Sequence, residues 1–333
     1  MASEPKHGKT MIMPLVSRAF VPGKAKQTIE AIENPEERDM AWAEYAQYTG
    51  DGETAVARAK RFLTHEDPML CMSAHIVCFI SGLATGDAAG ARDVLLSLDS
   101  MEPFGMAAPV GGAYCASVIK IMLFLKEREY DVGNDIPERL PEGAKFFVCY
   151  FLALREYLAK KYENAVGMAK AALMMGATRY PIAGVYLHLI SAASLARIRQ
   201  QQEAQRHFLL AWELARPDGL LAPFGMKYVM LAGFNKKHIR PQNAEAYKAI
   251  SRYADGFLPA WIDVHNGLVD WHENYGLTNI EHIAAMLFKS GLSVKEVSSY
   301  MGISVNTVKR HLAVVYQKTG VKKREELPDN VIR

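Results

Sequence analysis

Three helix starts follow one another closely in the last quarter of this 333-residue chain, and each fixes the backbone around it. A side-chain oxygen followed three residues later by a carboxylate satisfies orphan amide donors at a helix N-terminus from both directions. Thr278 with Glu281 forms one such box and Ser293 with Glu296 a second, while Ser304 caps a third helix with Thr307 in place of the acid. Each start leads into apolar residues at helical spacing. The second helix is predicted from about Val294 to Met301, with Val294, Val297 and Met301 facing inward. Gly302 supplies the left-handed position that closes it, and Ile303 plugs the core inside the short turn. The third helix places Val308, Leu312, Val315 and Tyr316 on one face, leaving Val305, Asn306, Lys309, Arg310 and Gln317 elsewhere.

Helix, short Gly turn and a second helix with an exposed, basic beginning is the helix-turn-helix arrangement, whose partner is the DNA major groove. Leu277-Thr278, Glu281, Gly291-Leu-Ser, Lys295-Glu-Val, Met301-Gly-Ile-Ser, Thr307-Val-Lys, His311-Leu, Lys318 and Gly320-Val321 resemble the LuxR/GerE-type helix-turn-helix of bacterial transcription regulators. The resemblance covers roughly 50 of 333 residues. It implies that Ser293 to Met301 is the scaffold helix and Ser304 to Thr319 the recognition helix, with Val305, Asn306, Lys309 and Arg310 on or beside the groove. Asn bridges adenine and Arg bridges guanine through two hydrogen bonds, so Asn306 and Arg310, with Val305 beside them, are the candidates for base readout. Lys295, Thr307, Lys309 and His311 are better read as phosphate contacts, which position without reading sequence. The bland alternative is a surface helical hairpin with a basic face, and His311 alone reads as an ordinary polar residue. Three departures stand out. Ser298 replaces a small apolar residue, Thr319 replaces a core Leu, and Pro328 interrupts the stretch where the family forms a fourth, often dimerising helix.

Charge supports a nucleic-acid partner. From Leu277 to Arg333 there are nine Lys or Arg against five Asp or Glu, and the other residues carry thirty against thirty-one. The basic surplus is thus confined to the proposed double-stranded DNA-binding segment. Half of the composition is hydrophobic, enough for a substantial core in two or three domains. Cys71, Cys78, Cys115 and Cys149 form no Cys-x-x-Cys pair and no cluster with His, which argues for reduced thiols, no metal and a cytoplasmic protein. The N-terminus has no basic-then-apolar leader pattern. Pro68 to Gly86 is uncharged and near membrane-span length, but its His75, Ser73, Ser81 and Thr85 and the lack of a flanking basic cluster favour a buried helix. His7-Gly-Lys-Thr10 has the ending of a phosphate loop, yet Ser3 stands where the leading Gly is required. Neither a nucleotide or other cofactor nor an enzymatic activity is expected.

Before residue 270 the chain repeats a pattern of apolar helix, short Gly or basic turn, and Ala-rich helix, over residues 42–57, 80–92, 151–166 and 193–204. Aligned on the Ala after each turn, Ala55, Ala91, Ala165 and Ala204 are spaced by 36, 74 and 39 residues. These spacings are close to the tetratricopeptide period or twice it. Gly111 to Leu140 would be a fifth, degenerate unit with a helix around Tyr114 to Lys126. The text from Ala204 to Gly225 resembles the helical-repeat domain of the large maltose-activator type of LuxR regulator, here without its ATPase.

The fold expected is therefore all-α: a partly flexible segment over 1–35, a TPR-like helical-repeat (α-solenoid) domain over 36–270, and a small tri- or tetrahelical LuxR-type helix-turn-helix domain over 275–333. Tyr45, Tyr48, Tyr150, Tyr157, Tyr186 and His188 either line a concave binding face or pack between helices, and their helical spacing favours packing. Two functions fit this order. One is a transcription regulator, binding DNA as a homodimer under control of a small-molecule effector or protein partner. The other is a helical-repeat adaptor whose terminal module does not bind DNA.

Overall fold

Local capping explains where the first three hairpin helices begin. Asn34 accepts the Glu36 and Glu37 amides at 2.9 and 3.0 Å, and Pro35 fills the first position of α1 (Pro35–Thr49). Asp51 accepts the Thr54 amide at 3.1 Å to open α2 (Gly52–Ala59), and Asp67 with Pro68 opens α3 (Pro68–Thr85) in the same way. Gly50 and Gly86, at φ 94° and 82°, close α1 and α3 in the left-handed conformation. The computed structural model describes residues 10–100, 140–268, 275–289, 292–301 and 303–328, and no strand occurs among them.

The described helices form four hairpins where the repeat pattern places them: α1 with α2, α3 with α4 (Ala88–Ser100), α5 (Glu142–Leu158) with α6 (Tyr162–Met174), and α7 (Pro181–Arg197) with α8 (Gln201–Ala215). Ala55, Ala91, Ala165 and Ala204 are all fully buried, because a methyl at each contact lets paired helices approach closely. An all-α chain ending in a helix-turn-helix is what the sequence leads one to expect. The fifth unit, including Cys115, falls outside the described residues.

The stack closes on itself. After α8 the chain makes two short helices, α9 (Ala222–Met226) and α10 (Tyr228–Phe234), and a π-helical turn at Asn235–Ile239. A 25-residue helix, α11 (Ala244–Leu268), then returns to pack on α3 and α4 of the second hairpin. Gly256 makes that return possible, since a Cβ there would stand 2.5 Å from the Ala84 carbonyl oxygen. The segment ahead of α1 shares the same core: Ile12, Met13, Leu15 and Val16 are buried, and the Leu15 and Val16 amides donate to the Glu44 carboxyl at 3.2 and 3.1 Å. Burial pushes Glu44 up to about 8, although those amides act against it.

Tyr48, Tyr150 and Tyr186 lie inside this core, with the Tyr150 and Tyr186 rings 4.8 Å apart, so these three are packing residues. His188 is buried with its Nδ1 2.9 Å from Nδ1 of His207. Tyr45 donates its hydroxyl to the Asp218 carbonyl at 3.0 Å. Among the described residues one helix, α3, is long and apolar enough to cross a membrane. Of its apolar window, 78% is buried inside the protein.

Candidate nucleic-acid interface

The terminal module begins with a reciprocal cap. The Thr278 amide donates to Glu281 at 2.8 Å and the Glu281 amide to the Thr278 hydroxyl at 3.4 Å, opening α12 (Asn279–Lys289). Ser293 and Glu296 repeat the exchange at 2.7 and 3.3 Å and open α13 (Val294–Met301). Ser304 accepts the Thr307 amide at 3.1 Å, and its hydroxyl is 2.8 Å from that of Thr307, opening α14 (Val305–Thr319). All three starts therefore stand where the sequence puts them.

The inner faces also agree. Val297, Val308 and Leu312 are buried together with Ala284 and Leu287, and Val294, Met301 and Ile303 pack against them. Val315 joins Leu277, Ala285 and Leu327 in an adjoining cluster that Tyr316 partly covers. Gly302 lies outside the described residues. Ser298, which departs from the family pattern, donates to the Ile303 carbonyl at 2.6 Å and so ties the turn. Thr319, another departure, donates to the Val315 carbonyl at 2.7 Å, which satisfies its hydroxyl without a Leu's volume.

With its core side fixed, α14 presents Asn306, Lys309 and Arg310 as exposed residues at its N-terminal half. Val305, Thr307 and His311 are half-buried beside them, and Lys295 is exposed on α13. Every candidate contact thus reaches solvent, on two neighbouring helices. Thr307 already spends its hydroxyl at the cap, so its amide and hydroxyl have a structural task as well.

The structural role of one residue escaped the sequence reading. Lys318 donates to Glu281 and to the Gly276 carbonyl, both at 2.7 Å, clamping the end of α14 to the entry of α12. Burial alone would raise the Glu281 carboxyl. The Lys318 ammonium and the Thr278 cap outweigh it and hold the group below the usual carboxylate range. Glu281 was legible as a capping acid, but its second partner lies 37 residues away, beyond any local pattern. Beyond α14 a single 3₁₀ turn, Arg324–Glu326, stands in place of a longer helix among the described residues, and Leu327 turns into the core. Lys289 donates to the Leu327 carbonyl and holds this turn against α12.

The module is seated on the helical body. Met286 of α12 belongs to the body's core, Ile283 packs against it, and Val229 of α10 reaches the module's own core. His282 is buried 6.4 Å from His265 of α11, ring centroid to ring centroid. Burial, aided by His265, lowers His282 to about 4.

Comparison with known proteins bears on the module alone. Searches among curated proteins and among solved structures find no match. The family model for bacterial regulatory proteins of the luxR family, GerE, matches residues 277–329. The chain therefore carries a luxR-family helix-turn-helix domain, the DNA-binding part of a transcriptional regulator.

Proposed function

We propose that this chain is a one-component transcription regulator of the cytoplasm, in which a TPR-like helical body senses an effector or partner and governs the luxR-type module. The observation that carries the reading is the exposed N-terminal half of α14, with Asn306, Lys309 and Arg310 projecting from a capped and fully packed scaffold. Arg310 and Asn306 read bases with Val305 alongside, and Lys295, Thr307, Lys309 and His311 hold phosphates. The order of helical repeats followed by this module supports kinship with maltose-activator-like regulators that lack an ATPase. No catalytic step is part of this mechanism.

The test is selection of bound fragments from genomic DNA by the full chain, followed by titration of a selected duplex across ionic strength. The affinity is expected to fall steeply with salt, each phosphate contact contributing about one to the logarithmic slope. A folded sample that binds no fragment at low salt refutes the reading and favours the adaptor.

A further inference from the structure

A cleft of about 390 Å³ lies where the helical body meets the DNA-binding module. Its size is that of a small-molecule site. The body lines it with Tyr157, Met226, Val229, Phe257, Leu258 and Trp261, and the module adds Met286. This is a largely apolar and aromatic wall. Its charged members are almost all of one sign: Lys160, Arg197, Lys227, Lys289 and Arg324, against the single acid Glu325.

Most of these cations are already engaged. Arg197 donates to the Tyr157 hydroxyl at 3.2 Å, Lys289 to the Leu327 carbonyl, and the Arg324 guanidinium lies 4.8 Å from the Phe288 ring centre. Lys227 differs. It is only 8% exposed, and its ammonium lies 5.6 Å from the Tyr150 ring centre. That ammonium has no hydrogen-bonding or ionic partner among the described residues, and burial alone lowers it to about 8. An ammonium held in an apolar wall without an anion is costly, because its desolvation is not compensated. The face of one aromatic ring offsets only part of that cost.

We propose that this cleft is the effector site and that it takes a small amphipathic organic anion, whose carboxylate or phosphate pairs with Lys227 while its apolar body lies along Phe257, Trp261 and Met286. The inference rests on the regulator reading for its consequence, but the binding itself is testable without DNA. Because Met286, Lys289 and Arg324 belong to the module and Lys227 to the body, an occupant touches both. It thereby has the differential contacts through which a ligand can alter how the module is held.

The experiment uses the full chain and a matched pair of probes, 1-naphthylacetate and the neutral 1-naphthylacetamide, by titration calorimetry, with decanoate as an aliphatic anion. One naphthylacetate is expected per chain, at least tenfold tighter than the amide. Lys227→Met is expected to abolish that preference, and Lys227→Arg to keep it. Lys227→Met also removes the uncompensated charge, so its melting temperature without ligand should not fall. Equal binding of acid and amide, a preference that survives in folded Lys227→Met, or no binding of any probe at millimolar concentration overturns the proposal. Should Lys227→Met fail to fold, the acid-to-amide ratio in the native chain and in Lys227→Arg decides alone. Probe binding without DNA binding defeats only the regulator reading, and DNA binding without probe binding defeats only this one.

Discussion

On the proposed assignment, single side chains divide the module's chemistry between holding and reading. Arg310→Ala is expected to relax preference at one base pair and to cost about 1–3 kcal/mol in binding a preferred site. Lys295→Ala should weaken all sequences alike and lower the salt slope by about one. Equal loss at every site for both variants, measured on a panel of single-base operator changes, refutes the assignment of base readout. Lys318→Met removes the ammonium that Glu281 and the Gly276 carbonyl share, leaving a largely buried carboxylate without its cation. A loss of about 1–3 kcal/mol in stability is expected from denaturant titration, and DNA affinity should suffer only through the folded fraction. His282, buried where the module meets the body, is expected to make the stability of the fold sensitive to acid. Its folded value of about 4 lies below its ordinary 6.5, so the unfolded chain binds the proton first. The stability it contributes is complete above about pH 6.5 and is lost as the pH falls through about 4. Thermal melts of His282→Gln should show a flatter pH dependence over that window than those of the native chain.

Among the helices, what was legible follows from how local the cause is. The starts at Thr278, Ser293 and Ser304 could be read because a cap and its partners lie within one turn. The hairpins could be read because Ala55, Ala91, Ala165 and Ala204 mark close approach between neighbours in the chain. The return of α11 onto α3 could not. It depends on Gly256 meeting the Ala84 carbonyl, a contact between residues far apart in sequence, and Gly inside a helical pattern has many readings. The same limit hid the cleft, whose wall is assembled from six separate stretches of chain. Gly256→Val should force α11 away from α3 and lower the melting temperature markedly, at a cost of about 1–3 kcal/mol. Ser304→Ala should cost about 1 kcal/mol, felt in the first turn of α14. Amide exchange of the first turn of α14 checks it, with faster exchange expected there than in α12.

At the scale of the molecule, the module shares core with the body through Met286, Ile283 and Val229. On the proposed reading, a ligand in the cleft and a duplex on α14 are two ligands of one packed object. If either changes the other's affinity, the factor must be the same in both directions. Naphthylacetate titrations with and without a bound duplex, set against duplex titrations with and without naphthylacetate, should return one common factor. The 3₁₀ turn at Arg324–Glu326, with Leu327 folded inward, has its own consequence for the target. A protruding fourth helix would let two modules meet across a twofold axis and so require inverted half-sites at a fixed separation. With that stretch spent on the module's own core, Arg324 to Leu327 do not protrude to meet a second module. Operators selected by this protein are then expected to lack the one fixed separation of inverted half-sites that pairing through this stretch would impose.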